Sequence, residues 1–267
     1  MAYRGGPILG EDDFLKHLPL SLDSRQRLLL EGLVHVADSI AAAYTHIHTA
    51  ALRCVDADGH LSPLERAMIF NCAWCIVDDF YAARQLLGQL QPNAVPRPGG
   101  FYETATDFVL LRNRMDHLAQ NVGNLTNARG IRRPIFGSIS FFHISENDIE
   151  IENNRIRIIS GRSYNISSGS ISNQDVLTFA VPAGEEIAPP IDKLRFSAFD
   201  RDIELQAAIE KFKNLIHSIS ADVKELCRDN IRRQLGDGVE LDQALNQVSP
   251  FGITMILDVL FPQENNY

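Results

Sequence analysis

The chain has 267 residues, is 45% hydrophobic and carries a formal net charge of -9 at pH 7, enough apolar material for one large domain or two modest ones. That acidity argues against broad, sequence-blind adhesion to nucleic acid, which needs a basic face. Residues 1–7 contain no apolar signal-peptide core, the run 253–261 is too short to span a bilayer and carries Asp258, and four cysteines make no disulfide framework; a cytoplasmic protein without a membrane partner is expected.

From Asp23 to about Arg53 apolar residues recur at helical spacing through Leu28, Leu29, Leu33, Val36, Ile40 and Ala43 with no proline inside, which predicts one long helix. The next opens on Ser62-Pro63-Leu64-Glu65, a capping box with proline at the first helical position, and runs through Trp74 to about Leu90, ahead of Pro92, Pro96 and Pro98. After Gly99-Gly100 a third helix is expected from about Tyr102 to Asn121, with Gly123 and Asn124 as terminators.

Composition changes at Ile135. The segments 135–142, 148–152, 155–159, 176–181 and 193–199 alternate like the strands of a small antiparallel sheet. Asn153-Asn154 suits a hairpin turn, and the Ser-, Asn- and Gly-rich stretch 160–173 reads as a long loop or flexible hairpin. Helical periodicity returns near Asp202 and continues through Leu205, Ile209, Phe212, Leu215, Ile216, Ile219, Val223 and Leu226 to about Gln234, with one or two short helices between Leu241 and Phe261. The termini read as frayed. The expected fold class is α+β, mainly α: helices over 20–130, an inserted antiparallel sheet over 131–200, and C-terminal helices over 201–262 that complete a bundle.

Chemistry is most legible in Arg112-Asn113-Arg114-Met115-Asp116-His117. An arginine, an amide and a histidine within about a turn and a half of helix can hold a phosphate, donate to it and move a proton. Asn113 and His117 stand four apart and share a face, whereas Arg112 has to reach round with its long stem; a second copy of the chain facing the first would tighten the group. The plain alternative is that Arg112 and His117 are solvated, or bonded to a carboxylate such as Asp107 or Asp116. Between Val109 and Ile135 the arginines Arg112, Arg114, Arg129, Arg132 and Arg133 face one acid, Asp116, so the stretch is locally positive and could hold RNA phosphates. On the preceding helix, Asp78 or Asp79 could orient His117 or Arg112, or form an ordinary acidic surface pair.

The segment resembles the signature of the HEPN superfamily, in which an arginine, usually followed by a polar residue, precedes a histidine after four to six positions; Arg112, Asn113 and His117 match its commonest form. Residues 73–81 look like the helix before the motif and 101–124 like the motif helix, a resemblance covering the first half of the chain. It implies a four-helix HEPN-like bundle, with the late helix as the fourth. It also implies a homodimeric, metal-independent endoribonuclease with no cofactor, often a toxin or defence effector, and leaves room for a regulatory protein. Arg114 and Asp116 depart from a motif interval that is often more apolar in that family. The alternative is a noncatalytic HEPN-like module that keeps the motif as a structural polar network and uses the sheet to bind protein or nucleotide.

Other patterns weigh less. With Gly59 as sixth position, Asp56, Asp58, Ser62 and Glu65 fall on ligand positions of a calcium loop, but Cys54 replaces its first carboxylate and the capping box explains the same residues. Cys72 and Cys75 lie inside a helix, away from the N-terminal dipole that activates redox thiols, and read as buried, inert thiols packing with Trp74. His46 and His48 point to different helix faces. No metal site is expected.

Overall fold

A computed structural model describes residues 3–19, 22–90, 100–121, 134–151, 154–169 and 191–235, with 144–151, 154–160, 231, 234 and 235 described by backbone alone. The expected class is observed: α+β, mainly α. Helix α1 (Ser24–Asp56) starts where Asp23 accepts hydrogen bonds from the backbone of Arg25 and Gln26. It buries Leu33, Val34, Ala37, Ile40, Tyr44, Ile47 and Ala50 on one stripe. α1 is long and apolar enough by length and composition to cross a membrane, but 56% of its most apolar window is buried inside this fold.

Helix α2 (Pro63–Leu90) begins with the capping box read from the sequence. The Ser62 backbone and hydroxyl both donate to Glu65 Oε2, at 3.0 and 2.8 Å, and the Glu65 N–H donates back to Ser62 Oγ at 3.2 Å. α2 runs antiparallel to α1: a Cβ on Gly32 would lie 3.1 Å from Leu86, and Ser39 Oγ lies 3.6 Å from Cys75 Sγ. Helix α3 (Phe101–Asp116) packs on α2 through the Phe80 and Phe108 rings, stacked at 4.0 Å. α3 is shorter than expected. The chain leaves helical geometry at His117 (φ -106, ψ 32) and restarts as the single turn α4 (Leu118–Asn121).

The sheet contains β1 (Ser138–Ile151), β2 (Asn154–Ser167), β3 (Ile191–Ala198) and β4 (Arg201–Glu204), in the order β2-β1-β3-β4 with every pair antiparallel. Three expectations are corrected here. Positions 138–142 and 148–151 of two expected strands fall on one long strand, β1, with 135–137 ahead of it and 152 outside the described residues, and the polar stretch 160–167, expected as a long loop or flexible hairpin, continues β2. Asp202 belongs to β4, so helix α5 (Leu205–Leu235) starts three residues later than its periodicity suggested. Ile151 pairs with Asn154, as a hairpin requires. Asn153, the strand expected at 176–181, the terminators Gly123 and Asn124 and the helices between Leu241 and Phe261 lie outside the described residues.

One continuous apolar cluster joins helices and sheet. Trp74 of α2 donates its indole N–H to the Phe136 carbonyl at 3.1 Å and meets the Phe196 ring edge-on at 5.3 Å. Phe212 of α5 approaches Phe80 at 5.8 Å and Phe101 at 5.4 Å. The N-terminal arm is not frayed: Tyr3, Ile8, Leu9, Leu15 and Leu18 are all buried. Tyr44 donates to the Tyr3 carbonyl, and Ser220 of α5 donates to Asp13 at 2.7 Å, so the arm is fastened to both long helices.

Candidate functional site

The motif residues occupy the last turn of α3 and the break that follows it. Phe101, Ala105, Phe108 and Leu111 form the buried stripe of α3, which turns the neighbouring positions Arg112 and Asn113 outward. Arg112 reaches toward α2, where its Nε donates to Asp78 Oδ1 at 2.8 Å and its Cζ lies 4.7 Å from the centre of the Tyr81 ring. Its Nη1 donates to Asp116 Oδ2 at 2.7 Å, one turn further along the same helix. The guanidinium is thus fixed in direction by two carboxylates and an aromatic face. At 32% exposure these pairs contribute orientation more than stability.

Asn113 and His117 are both exposed, and the His117 N–H still donates to the Asn113 carbonyl at 3.3 Å, so the two stay one turn apart although His117 is outside the helix. The break is satisfied locally. The His117 carbonyl accepts from Gln120 and Asn121, and the Asn121 side chain donates to the Arg114 carbonyl, which α3 leaves open at its end.

The remaining expected residues divide. Arg114 forks onto Asp200 in the β3–β4 turn, with Nη2 at 2.9 Å from Oδ2 and Nη1 on Oδ1. Arg201 beside it donates to Asp107 of α3 at 3.2 Å. This ladder ties the outer face of α3 to the sheet, and Arg114 presents no uncompensated charge to a phosphate. Arg129, Arg132 and Arg133 lie outside the described residues. Asp78 touches Arg112, whereas Asp79, about 100° further round α2, faces α1 and accepts from Cys75 Sγ at 3.5 Å. Burial raises the Asp79 carboxyl above its ordinary range, against hydrogen bonds from Ser39 and Cys75 and the positive field of His35.

The local charge therefore differs from the count along the chain. Among the described residues Arg112, Arg114 and Arg201 meet Asp78, Asp107, Asp116 and Asp200: three cations against four anions. Sequence reasoning missed Asp200, Arg201 and Tyr81. Tyr81 could have been found, since it stands one turn from Asp78 on α2; nothing local pointed to the β3–β4 turn.

The competing sites are also accounted for. Asp58 pairs with Arg162 at 3.3 Å and Glu65 with Arg53 at 3.3 Å, while Glu65 also serves the capping box. Among the described residues no three His, Cys, Asp or Glu side chains are grouped to hold a metal ion. Cys75 is exposed and Cys72 only half-buried, against the expectation of buried thiols; desolvation raises the pKa of both, and Asp79 and Asp78 raise that of Cys75 further against a hydrogen bond with Ser39.

Comparison with protein-family models, with curated proteins and with solved structures finds no match for this chain. The HEPN resemblance rests on its own residues.

Proposed function

We propose that this chain is a metal-independent endoribonuclease of HEPN type, a cytoplasmic homodimer acting as a toxin or defence effector. The observation that carries this reading is the grouping of Arg112, Asn113 and His117 at the end of α3, with the amide and imidazole exposed together and the guanidinium held in a set direction. The nucleophile is the RNA's own 2′-hydroxyl, which attacks the adjacent phosphorus and expels the 5′-oxygen of the next nucleotide; DNA, lacking it, survives. His117 takes the proton from the 2′-oxygen or returns one to the leaving oxygen, with the second copy's histidine available for the complementary transfer. Arg112 offsets the charge that builds on the phosphoryl oxygens, and Asn113 orients the scissile group.

A second reading has one specific observation in its favour. Arg112 already holds two carboxylates, as a structural polar network would require, which fits a noncatalytic module that binds protein or nucleotide. RNA cleavage by purified protein in excess EDTA separates the two. Cleavage by the wild type that leaves a 2′,3′-cyclic phosphate, and is lost in folded His117→Ala and Arg112→Ala variants, is the expected result. No cleavage, or equal cleavage by all three proteins, overturns the ribonuclease reading and favours the module.

A further inference from the structure

Two carboxylates share one guanidinium, and their positions in the fold are not equivalent. Asp78 lies on α2 and binds Nε on the side where Tyr81, also of α2, covers the guanidinium face. It fixes Arg112 across a helix–helix contact that the stacked Phe80 and Phe108 rings hold in place. Asp116 lies on α3 itself, as its last residue and next to His117. A carboxylate there sits at the negative end of the helix dipole, and an arginine four residues ahead of an acid is the weaker order for such a pair. Nη1 is also the nitrogen turned toward the end of the helix that bears His117, and the two Nη2 hydrogens belong to neither pair. A phosphate received by Nη1, on the side of the helix end that bears His117, takes the place Asp116 holds.

We propose that Asp116 is a stand-in for the substrate phosphate on Arg112, displaced when RNA binds, while Asp78 is the positioning residue that keeps the guanidinium aimed during the exchange. The inference deepens the ribonuclease reading and rests on it for its catalytic consequence, but the exchange itself is a binding event that can be measured alone. Removing the two charges should act in opposite directions. Asp116→Asn frees an arginine edge for phosphate; Asp78→Asn leaves Arg112 charged but loosely held.

The probe is a single-stranded 2′-O-methyl oligoribonucleotide, whose blocked 2′-oxygen prevents cleavage, titrated by fluorescence anisotropy over a series of salt concentrations. Asp116→Asn is expected to bind it several-fold more tightly than the wild type, with a log K against log salt slope steeper by about 0.7, the value for one added phosphate contact on a single strand. The gain should vanish in the Asp116→Asn, Arg112→Ala double variant and be absent from Asp107→Asn, which removes the same charge beside Arg201. On unmodified RNA, Asp116→Asn should cleave faster and Asp78→Asn slower than the wild type. Unchanged affinity and slope in Asp116→Asn, a gain that survives loss of Arg112, or an equal gain in Asp78→Asn would each overturn the exchange. An Arg112-dependent gain in binding without cleavage by any variant would support the exchange and sink the ribonuclease reading, whereas cleavage by the wild type with no gain in Asp116→Asn would do the reverse.

Discussion

Phe80 sits where three helices meet, and truncating it tests whether the site's scaffold is a single packed unit. Its ring is fully buried, stacked 4.0 Å from Phe108 at 8°, 5.7 Å from Phe101 and 5.8 Å from Phe212. Removing a buried phenyl costs about 3–5 kcal/mol. Three ring partners, each contributing about 0.5–1.5 kcal/mol beyond area, place Phe80→Ala toward the upper end, at about 4.5 kcal/mol. With an m value of about 3 kcal/mol/M in urea, the unfolding midpoint should fall by about 1.5 M. Trp74, the chain's one tryptophan, lies at the junction of α2 and sheet, so its fluorescence and the far-UV circular dichroism should lose signal in one shared transition. A midpoint shift below about 0.5 M would mean that the cavity collapses readily and that the three helices are not locked through this ring. Two separate transitions would mean that the sheet and the helices do not share a core. The functional consequence follows from position: Phe80 lies between Asp78 and Tyr81 on α2, and Phe108 lies one turn before Arg112 on α3. The milder Phe80→Leu should therefore weaken any activity that depends on Arg112 while leaving the protein folded.

Gly137→Ala should cost at least about 2 kcal/mol, because its φ of +90 disfavours an L side chain and a Cβ there would lie 2.5 Å from the Ser197 carbonyl oxygen; a denaturation midpoint like the wild type's would show that the start of β1 is not pinned against β3. Asp79→Asn should change the pH dependence of stability in a set direction. The folded carboxyl titrates above its unfolded value, so the stability it contributes is complete below the ordinary carboxylate pKa and is lost as pH rises through the raised one. The amide cannot ionise, so the variant should gain on the wild type at pH about 7 and lose that advantage toward pH about 4, read as thermal midpoints; an advantage that grows on acidification would mean that the ionised form is the one the fold prefers.

The parts of the fold that could be read from the sequence are those fixed by contacts within a few residues. Ser62 and Glu65 specify the start of α2 by hydrogen bonds to each other, and Asp23 specifies that of α1 by accepting from the next turn. The polar run 160–167 misled because, among the described residues, β2 is an edge strand: Arg162, Ser163 and Asn165 face solvent, and the strand is held by its ladder to β1 and by Tyr164 stacked 5.2 Å from Phe141. A strand that buries one face lightly needs little of the alternation by which strands are recognised. The N-terminal arm failed for a related reason. Tyr3, Ile8, Leu9 and Leu15 follow neither a helical nor a strand period, because the surface they fill is supplied by α1 and α5.

At the site, the order of residues along the chain singles out the three motif residues as candidates, but it does not show their electrostatic setting. Counting residues 109–135 gives a positive segment, whereas Arg112 meets Asp78 from 34 residues away and Arg114 meets Asp200 from 86 away. Coulombic attraction falls with distance and is screened over about 8 Å at physiological salt, so a carboxylate in hydrogen-bond contact dominates the field at each of these two guanidinium groups. An arginine in this state does not act as an open electrostatic lure. At Nε or Nη1 it can accept a phosphate only by giving up a carboxylate, and because that exchange trades one anion for another, RNA held in this way should depend on salt less steeply than its count of arginines suggests.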